Sequence, residues 1–177
     1  MANINWVSFP QTFPPPAFMP SIIEVFQEHA EIVDSSLHGL KSDDVMSVLA
    51  PGLLARGFEV EQGKRDKDKI HRPVFFGECG KPTLRYEIDG YHPVWKCGIE
   101  IEAGRATMGN AIYRDLIQGL IMADVDHLEL AVPNSYNYKS SGKTITSKDY
   151  EKTTSVAEAL FGHTRVRMPY DLTVIGY

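Results

Sequence analysis

Only two cysteines, Cys79 and Cys97, occur in the chain. They exclude a disulfide framework and offer no paired Cys-x-x-Cys metal spacing, so a reducing cytoplasm is the expected compartment. No apolar run approaches the roughly 18 residues that a membrane span needs. The first residues lack the charged start and compact apolar core of a secretory signal, and neither an internal repeat nor an interdomain linker is visible. There is also no long basic stripe: the net charge is −5, which argues against strong nonspecific affinity for a polyanion. The six histidines show no metal-ligand spacing, no phosphate-cradling glycine loop is present, and no serine or cysteine has a recognisable base partner.

What remains is the composition of an ordinary globular protein, 177 residues with 43% hydrophobic and 23% charged, long enough for one domain with a substantial core. The charge is unevenly spread. Residues 1–56 hold Lys41 and Arg56 against six acids, whereas residues 133–177 hold six bases against four acids. A local basic run lies at Lys64-Arg65-Asp66-Lys67-Asp68-Lys69.

Residues 1–20 place Pro10, Pro14, Pro15, Pro16 and Pro20 among Trp6, Phe9, Phe13 and Phe18. Proline removes amide donors and favours extended geometry, so this stretch reads as an arm packed on its own domain or on a second subunit. Residues 21–177 read as a single α/β domain. Ser21-Ile22-Ile23-Glu24 has the pattern of a capping box opening a helix to about Asp34. A second helix is expected from Ser42 to about Ala55, with Val45, Leu49 and Leu53 inward and Pro51 bending or shortening it.

From Gly57 the pattern turns to strands: Phe58–Glu61, Pro73–Phe76, Leu84–Gly90 and Cys97–Glu102, with turns between. Met108–Ala123 carries the apolar stripe Ile112, Leu116, Leu120 and Ala123 of an amphipathic helix. Leu128–Val132 is a strand, Asn134–Thr146 a polar loop, Ser147–Phe161 a helix and Leu172–Ile175 a closing strand. This order implies an α/β sandwich around a mixed sheet.

Alternation along Cys97–Glu102 sends Ile99 and Ile101 to one face and Glu100 and Glu102 to the other. If Leu84–Gly90 pairs with it through Tyr91–Lys96, Asp89 reaches the same face. Three clustered acids repel one another unless a cation or protons compensate them. Hard cations such as Mg²⁺ take oxygen ligands, so Asp89, Glu100 and Glu102, with the backbone carbonyl of Ile101, form a candidate metal site. The plainer alternative is a solvated strand face where acids alternate with isoleucines.

An acid on one strand, E-x-E on the next, then a helix and a further strand resembles the PD-(D/E)XK, or restriction-endonuclease-like, nucleases. The resemblance covers roughly residues 21–132. It implies an αβββαβ core, a mixed central sheet flanked by helices, and Mg²⁺-dependent hydrolysis (Mn²⁺ as an alternative) of DNA phosphodiesters by a homodimer. Asp89, Glu100 and Glu102 map onto the motif. Ile88 stands where the superfamily usually has Pro and Glu102 where it usually has Lys, the latter as in BamHI-type enzymes. On this reading Asp89 and Glu100 hold the metal, Glu102 is a second ligand or water-orienting base, and Arg105 and Arg114 contact phosphate. Asn110, Arg114 and Gln118, at i, i+4 and i+8, line one helix face as substrate-binding residues. Alternatively Arg114 pairs with a strand acid such as Glu102 and neutralises it, and Asp115 is a helix-surface or pairing residue. His92 reads as a turn histidine, and Lys139–Lys143, following Tyr136 and Tyr138, either contacts nucleic acid or is an ordinary solvated loop. The rival functions are a non-cleaving binding or regulatory protein of the same fold, and an assembly module acting through the proline-aromatic arm.

Overall fold

The computed structural model describes residues 3–104, 106–107 and 109–177. Its elements are β1 (Asn5–Phe9), α1 (Met19–Glu28), α2 (Ala30–Val33), α3 (Ser42–Ala55), β2 (Glu59–Val60), β3 (Ile70–Phe76), β4 (Pro82–Ile88), β5 (Gly90–His92), β6 (Cys97–Ile101), α4 (Ala111–Ile121), β7 (His127–Val132), β8 (Tyr136–Ser140), β9 (Lys143–Ser147), α5 (Asp149–Gly162) and β10 (Asp171–Gly176). None of these helices is long and apolar enough to cross a membrane.

Six strands form one mixed sheet in the order β1-β10-β7-β6-β5-β2. The β6/β7 and β7/β10 pairs are parallel, and a parallel pair requires a crossover. Helix α4 supplies the first, and the β8–β9 ribbon with α5 lies within the second. The remaining neighbours are antiparallel. Two separate ribbons, β3–β4 and β8–β9, stand apart from this sheet.

The period of two along each strand divides the core into two layers. On one face Cys97, Ile99, Ile101, Ala131 and Ile175 meet Ile22 and Phe26 of α1 and Leu49 and Leu53 of α3. On the other, Leu128, Leu130, Leu172 and Val174 meet Ile112 and Leu116 of α4 and Ala157 of α5. Every residue of β6 is buried, as expected for a strand covered on both faces.

Several local expectations give way to tertiary contacts. Ser21 is not a helix cap: α1 already begins at Met19, and the Ser21 hydroxyl donates to the Phe18 carbonyl at 2.7 Å. Pro51 does not shorten the expected span, since α3 runs to Ala55 with Val45, Leu49 and Leu53 buried; the apolar stripe outweighs one missing amide bond. Within the N-terminal stretch, Asn5–Phe9 joins the sheet edge antiparallel to β10, and Phe18 stacks on Trp95 with ring centroids 4.6 Å apart. The polar loop expected at Asn134–Thr146 is instead the β8–β9 ribbon. Leu84–Gly90 does not pair with Cys97–Glu102 as one strand. Most of it, β4, pairs with β3, and only Gly90–His92 pairs with β6. Gly90 permits the switch, because a Cβ there would lie 2.7 Å from Ile99 Cγ2.

Candidate functional site

Asp89 occupies the one-residue joint between β4 and β5. Its carbonyl accepts the Glu61 amide at 2.8 Å, and its carboxylate Oδ2 accepts the Ile101 amide at 2.8 Å. The side chain thus continues the ladder at a point where β4 has departed to pair elsewhere. Ile101 enters the cluster through this amide.

Glu100 follows from the alternation of β6. It is only 8% exposed, so the plainer expectation of a solvated acidic strand face does not hold for it. Burial, then the nearby charges of Asp89 and Asp115, hold its carboxyl well above the ordinary range, with Arg114 pulling the other way. Asp89 is pushed up to about 6, again first by burial, while the Ile101 hydrogen bond opposes the rise. Glu102 is raised by burial and by the Asp115 charge.

Glu102 is fixed at three points. Its amide donates to the Ala131 carbonyl at 2.9 Å, its carbonyl accepts the Tyr177 hydroxyl at 2.7 Å, and its Oε1 accepts Arg114 Nη2 at 2.8 Å. Of the two roles open to Arg114, the structure displays the pairing. The same guanidinium donates through Nε to Asp115 Oδ1 at 2.8 Å. Asp115 is 1% exposed and shares Arg114 with Glu102, which makes it a buried pairing residue rather than a surface one.

Asp89, Glu100, Arg114 and Gln118 face a common cavity of about 410 Å³. Of the wall residues not anticipated as site residues, Glu61 and Lys69 matter most to its charge. Glu61 just beyond β2 brings a further carboxylate to the wall, which Glu102 does not line, and Lys69 sits 2.8 Å from Glu61 Oε1 and 3.3 Å from Glu87 Oε2. Lys69 belongs to the linear basic run, and nothing local distinguishes it from its neighbours. Glu61 ends an alternating strand, and only the placement of β2 beside β5 reveals its relation to Asp89.

The other expected residues lie elsewhere. Asn110 is exposed, in a left-handed conformation at the start of α4, and it is not in the cavity wall. Arg105 lies outside the described residues. His92 is buried: its Nδ1 accepts the Trp95 amide at 3.1 Å, which leaves Nε2 to donate to the Arg56 carbonyl at 3.0 Å. That is the turn role expected of it.

Among the described residues, no three His, Cys, Asp or Glu side chains are already closed around one point where a metal ion would sit. The cause is visible in the partners: Asp89 is turned to an amide and Glu102 to a guanidinium. The donor set nevertheless suits a hard cation, because it consists of carboxylate oxygens on or next to paired strands, and burial first, then their mutual charge, raises their proton affinity. A second buried acid lies apart from the cavity. Glu129 of β7, 1% exposed, is approached by Cys97 Sγ at 3.6 Å and is pushed up to about 8 by burial. No protein-family model matches this chain, and no curated protein matches it.

Proposed function

We propose that the chain is a divalent-cation-dependent hydrolase of nucleic-acid phosphodiesters, with DNA the preferred substrate and a restriction-endonuclease-like core. The observation that carries this reading is the convergence of Asp89, Glu100 and Glu61 on one cavity, with Glu102 electrostatically coupled to Glu100. Strand order supports it. From α3 onward, an antiparallel β2-β5-β6 unit, the helix α4 and a parallel β7 follow the αβββαβ order of the resemblance, with the β3–β4 ribbon as an insertion.

In this reading Asp89 and Glu100 hold Mg²⁺ or Mn²⁺, with Glu102 and the Ile101 carbonyl as further ligands. Once bound, such an ion supplies Lewis acidity to a phosphoryl oxygen and lowers the pKa of an attached water. The residues of the chain do the rest. As the alternative to serving as a ligand, Glu102 orients the attacking water and accepts its proton, while the phosphorus–oxygen bond to the leaving strand breaks and that oxygen takes a proton from solvent. Arg114 leaves Glu102 for the phosphate as substrate enters, and Arg105 contributes in the same sense. Asn110 and Gln118 position the strand. Both strands of a duplex are reached by a homodimer in a reducing compartment.

The test is plasmid cleavage in Mg²⁺ and Mn²⁺ by wild type and by Glu100→Ala, with oligomeric state measured alongside. The expected result is metal-dependent nicking that Glu100→Ala abolishes; full cleavage by that variant overturns the assignment. A specific observation favours the second reading, a non-cleaving nuclease-fold binding protein. The Arg114–Glu102 bond at 2.8 Å, in a motif without the usual lysine, is what a retired site would retain. Titration with Mn²⁺ followed by electron paramagnetic resonance separates the two, because a retired site leaves the ion free in solution.

A further inference from the structure

The β8–β9 ribbon has a charge and a position that the hydrolytic reading leaves unused. Residues 134–148 contain Lys139, Lys143 and Lys148 and no acid, in a chain of net charge −5. Because β6 and β7 are parallel, with Ile101 beside Ala131, their carboxyl ends share one edge of the sheet. Glu102 follows the first strand and the ribbon follows the second, so both emerge on the same side of the molecule. The base of the ribbon rests on the segment that follows Glu102: a Cβ on Gly104, two residues on, would lie 2.7 Å from the Tyr136 ring.

Register divides the ribbon into two faces. Tyr138 opposes Ile145 and Ser140 opposes Lys143, on the same side as Tyr136. The Tyr136 and Tyr138 rings stack, with centroids 6.2 Å apart and planes at 14°. The other side, Asn137, Lys139, Thr144 and Thr146, is polar and exposed throughout. Ile145 is itself 39% exposed. An aromatic pair flanked by lysines is the composition that stacks bases and neutralises phosphates. Lys69 and Arg114 in the cavity wall are already paired with Glu61 and Glu102, and the ribbon brings lysines that are not in those pairs.

We infer that the β8–β9 ribbon is an arm that holds a DNA strand at the acidic cavity: Tyr138 stacks on an unpaired base and Lys143, on the same face, meets a phosphate, while Lys139 reaches a neighbouring phosphate around the ribbon edge from the opposite face. This deepens the hydrolytic reading and rests on it for the position of the scissile bond, but it is tested without cleavage. Fluorescence anisotropy with a short fluorescein-labelled single strand, in EDTA and low salt, measures binding by wild type, Lys139→Ala/Lys143→Ala, Tyr138→Ala, Tyr138→Phe and Glu100→Ala. The double lysine variant is expected to lower the salt dependence by about two phosphate contacts. Tyr138→Ala is expected to weaken binding roughly 5- to 100-fold, with Tyr138→Phe restoring it and Glu100→Ala binding at least as tightly as wild type. Unchanged affinity in the lysine and Tyr138→Ala variants overturns the arm, as does a wild type that binds no DNA at all. Cleavage lost only in Glu100→Ala, with ribbon variants binding normally, sinks the arm and keeps the hydrolase. Ribbon-dependent binding without any cleavage does the reverse.

Discussion

The Asp89 carboxylate accepts the Ile101 amide at 2.8 Å, so one candidate metal ligand also closes the backbone between β5 and β6. Two functions of the same side chain are separable by substitution. Asp89→Ala leaves the Ile101 amide without its acceptor and is expected to cost about 1–3 kcal/mol in urea unfolding. Asp89→Asn keeps an acceptor oxygen and should cost less than half as much. Both should lose metal-dependent cleavage. Equal stability losses for the two would show that the hydrogen bond contributes nothing.

The pH dependence of stability follows from the raised carboxyls. Asp89 near 6 and Glu129 near 8, together with Glu100, bind protons in the folded state that the unfolded chain has already released. Their contribution is complete below the ordinary carboxylate range and is lost as pH rises through about 6 to 8. In metal-free buffer the urea midpoint should therefore fall between pH 5 and pH 9. For Glu129 alone, moving from 4.5 to about 8, the loss is at most about 5 kcal/mol at 1.36 kcal/mol per unit. Glu129→Gln, uncharged at every pH, should flatten the curve and be the more stable protein at pH 9. A midpoint that climbs with pH would contradict the assignment of these carboxyls.

Arg114 is the cation between Glu102 and Asp115. Removing it as Arg114→Gln leaves those carboxyls facing each other, with Asp89 acting on Glu102 as well, so their proton affinity rises further. The melting temperature is expected to drop more at pH 8 than at pH 5.5, since only the higher pH requires ionisation. Circular dichroism melts at the two values measure this. Equal drops would mean that the guanidinium acts by packing rather than by charge.

Gly104 adopts φ +57, and its bare backbone receives the Tyr136 ring. Gly104→Ala meets both a left-handed backbone cost of about 1–2 kcal/mol and a collision with that ring. The expected outcome is lower stability and faster proteolysis within residues 136–147, where the ribbon loses its seat. A variant as protease-resistant as wild type would show that the ring is not anchored there.

Much of the scaffold was legible because its causes are local. Alternation at Cys97–Glu102 assigned Ile99 and Ile101 to one core layer and Glu100 to the other face, and the α4 stripe at Ile112 and Leu116 is buried as its periodicity required. The β8–β9 ribbon was also legible in principle. Tyr-Asn-Tyr-Lys and Thr-Ile-Thr flank Ser141-Gly142, both with positive φ, and that is a hairpin signature; the polar composition concealed it. Ser21 misled for the opposite reason, since a capping motif has no force once the preceding turn is already helical.

The sequence by itself determined which residues alternate, which stripe turns inward and that Glu100 leaves β6 on the face opposite Ile99 and Ile101, because periodicity and chirality act over a few residues. Only the tertiary structure decided that Glu61 and Lys69 join Asp89 and Glu100 around one cavity, that Arg114 closes on Glu102, and that the lysine-bearing ribbon leaves the same sheet edge as Glu102. Those relations come from strand order and from burial, which couple charges far apart in the chain and are set by how the whole sheet is assembled.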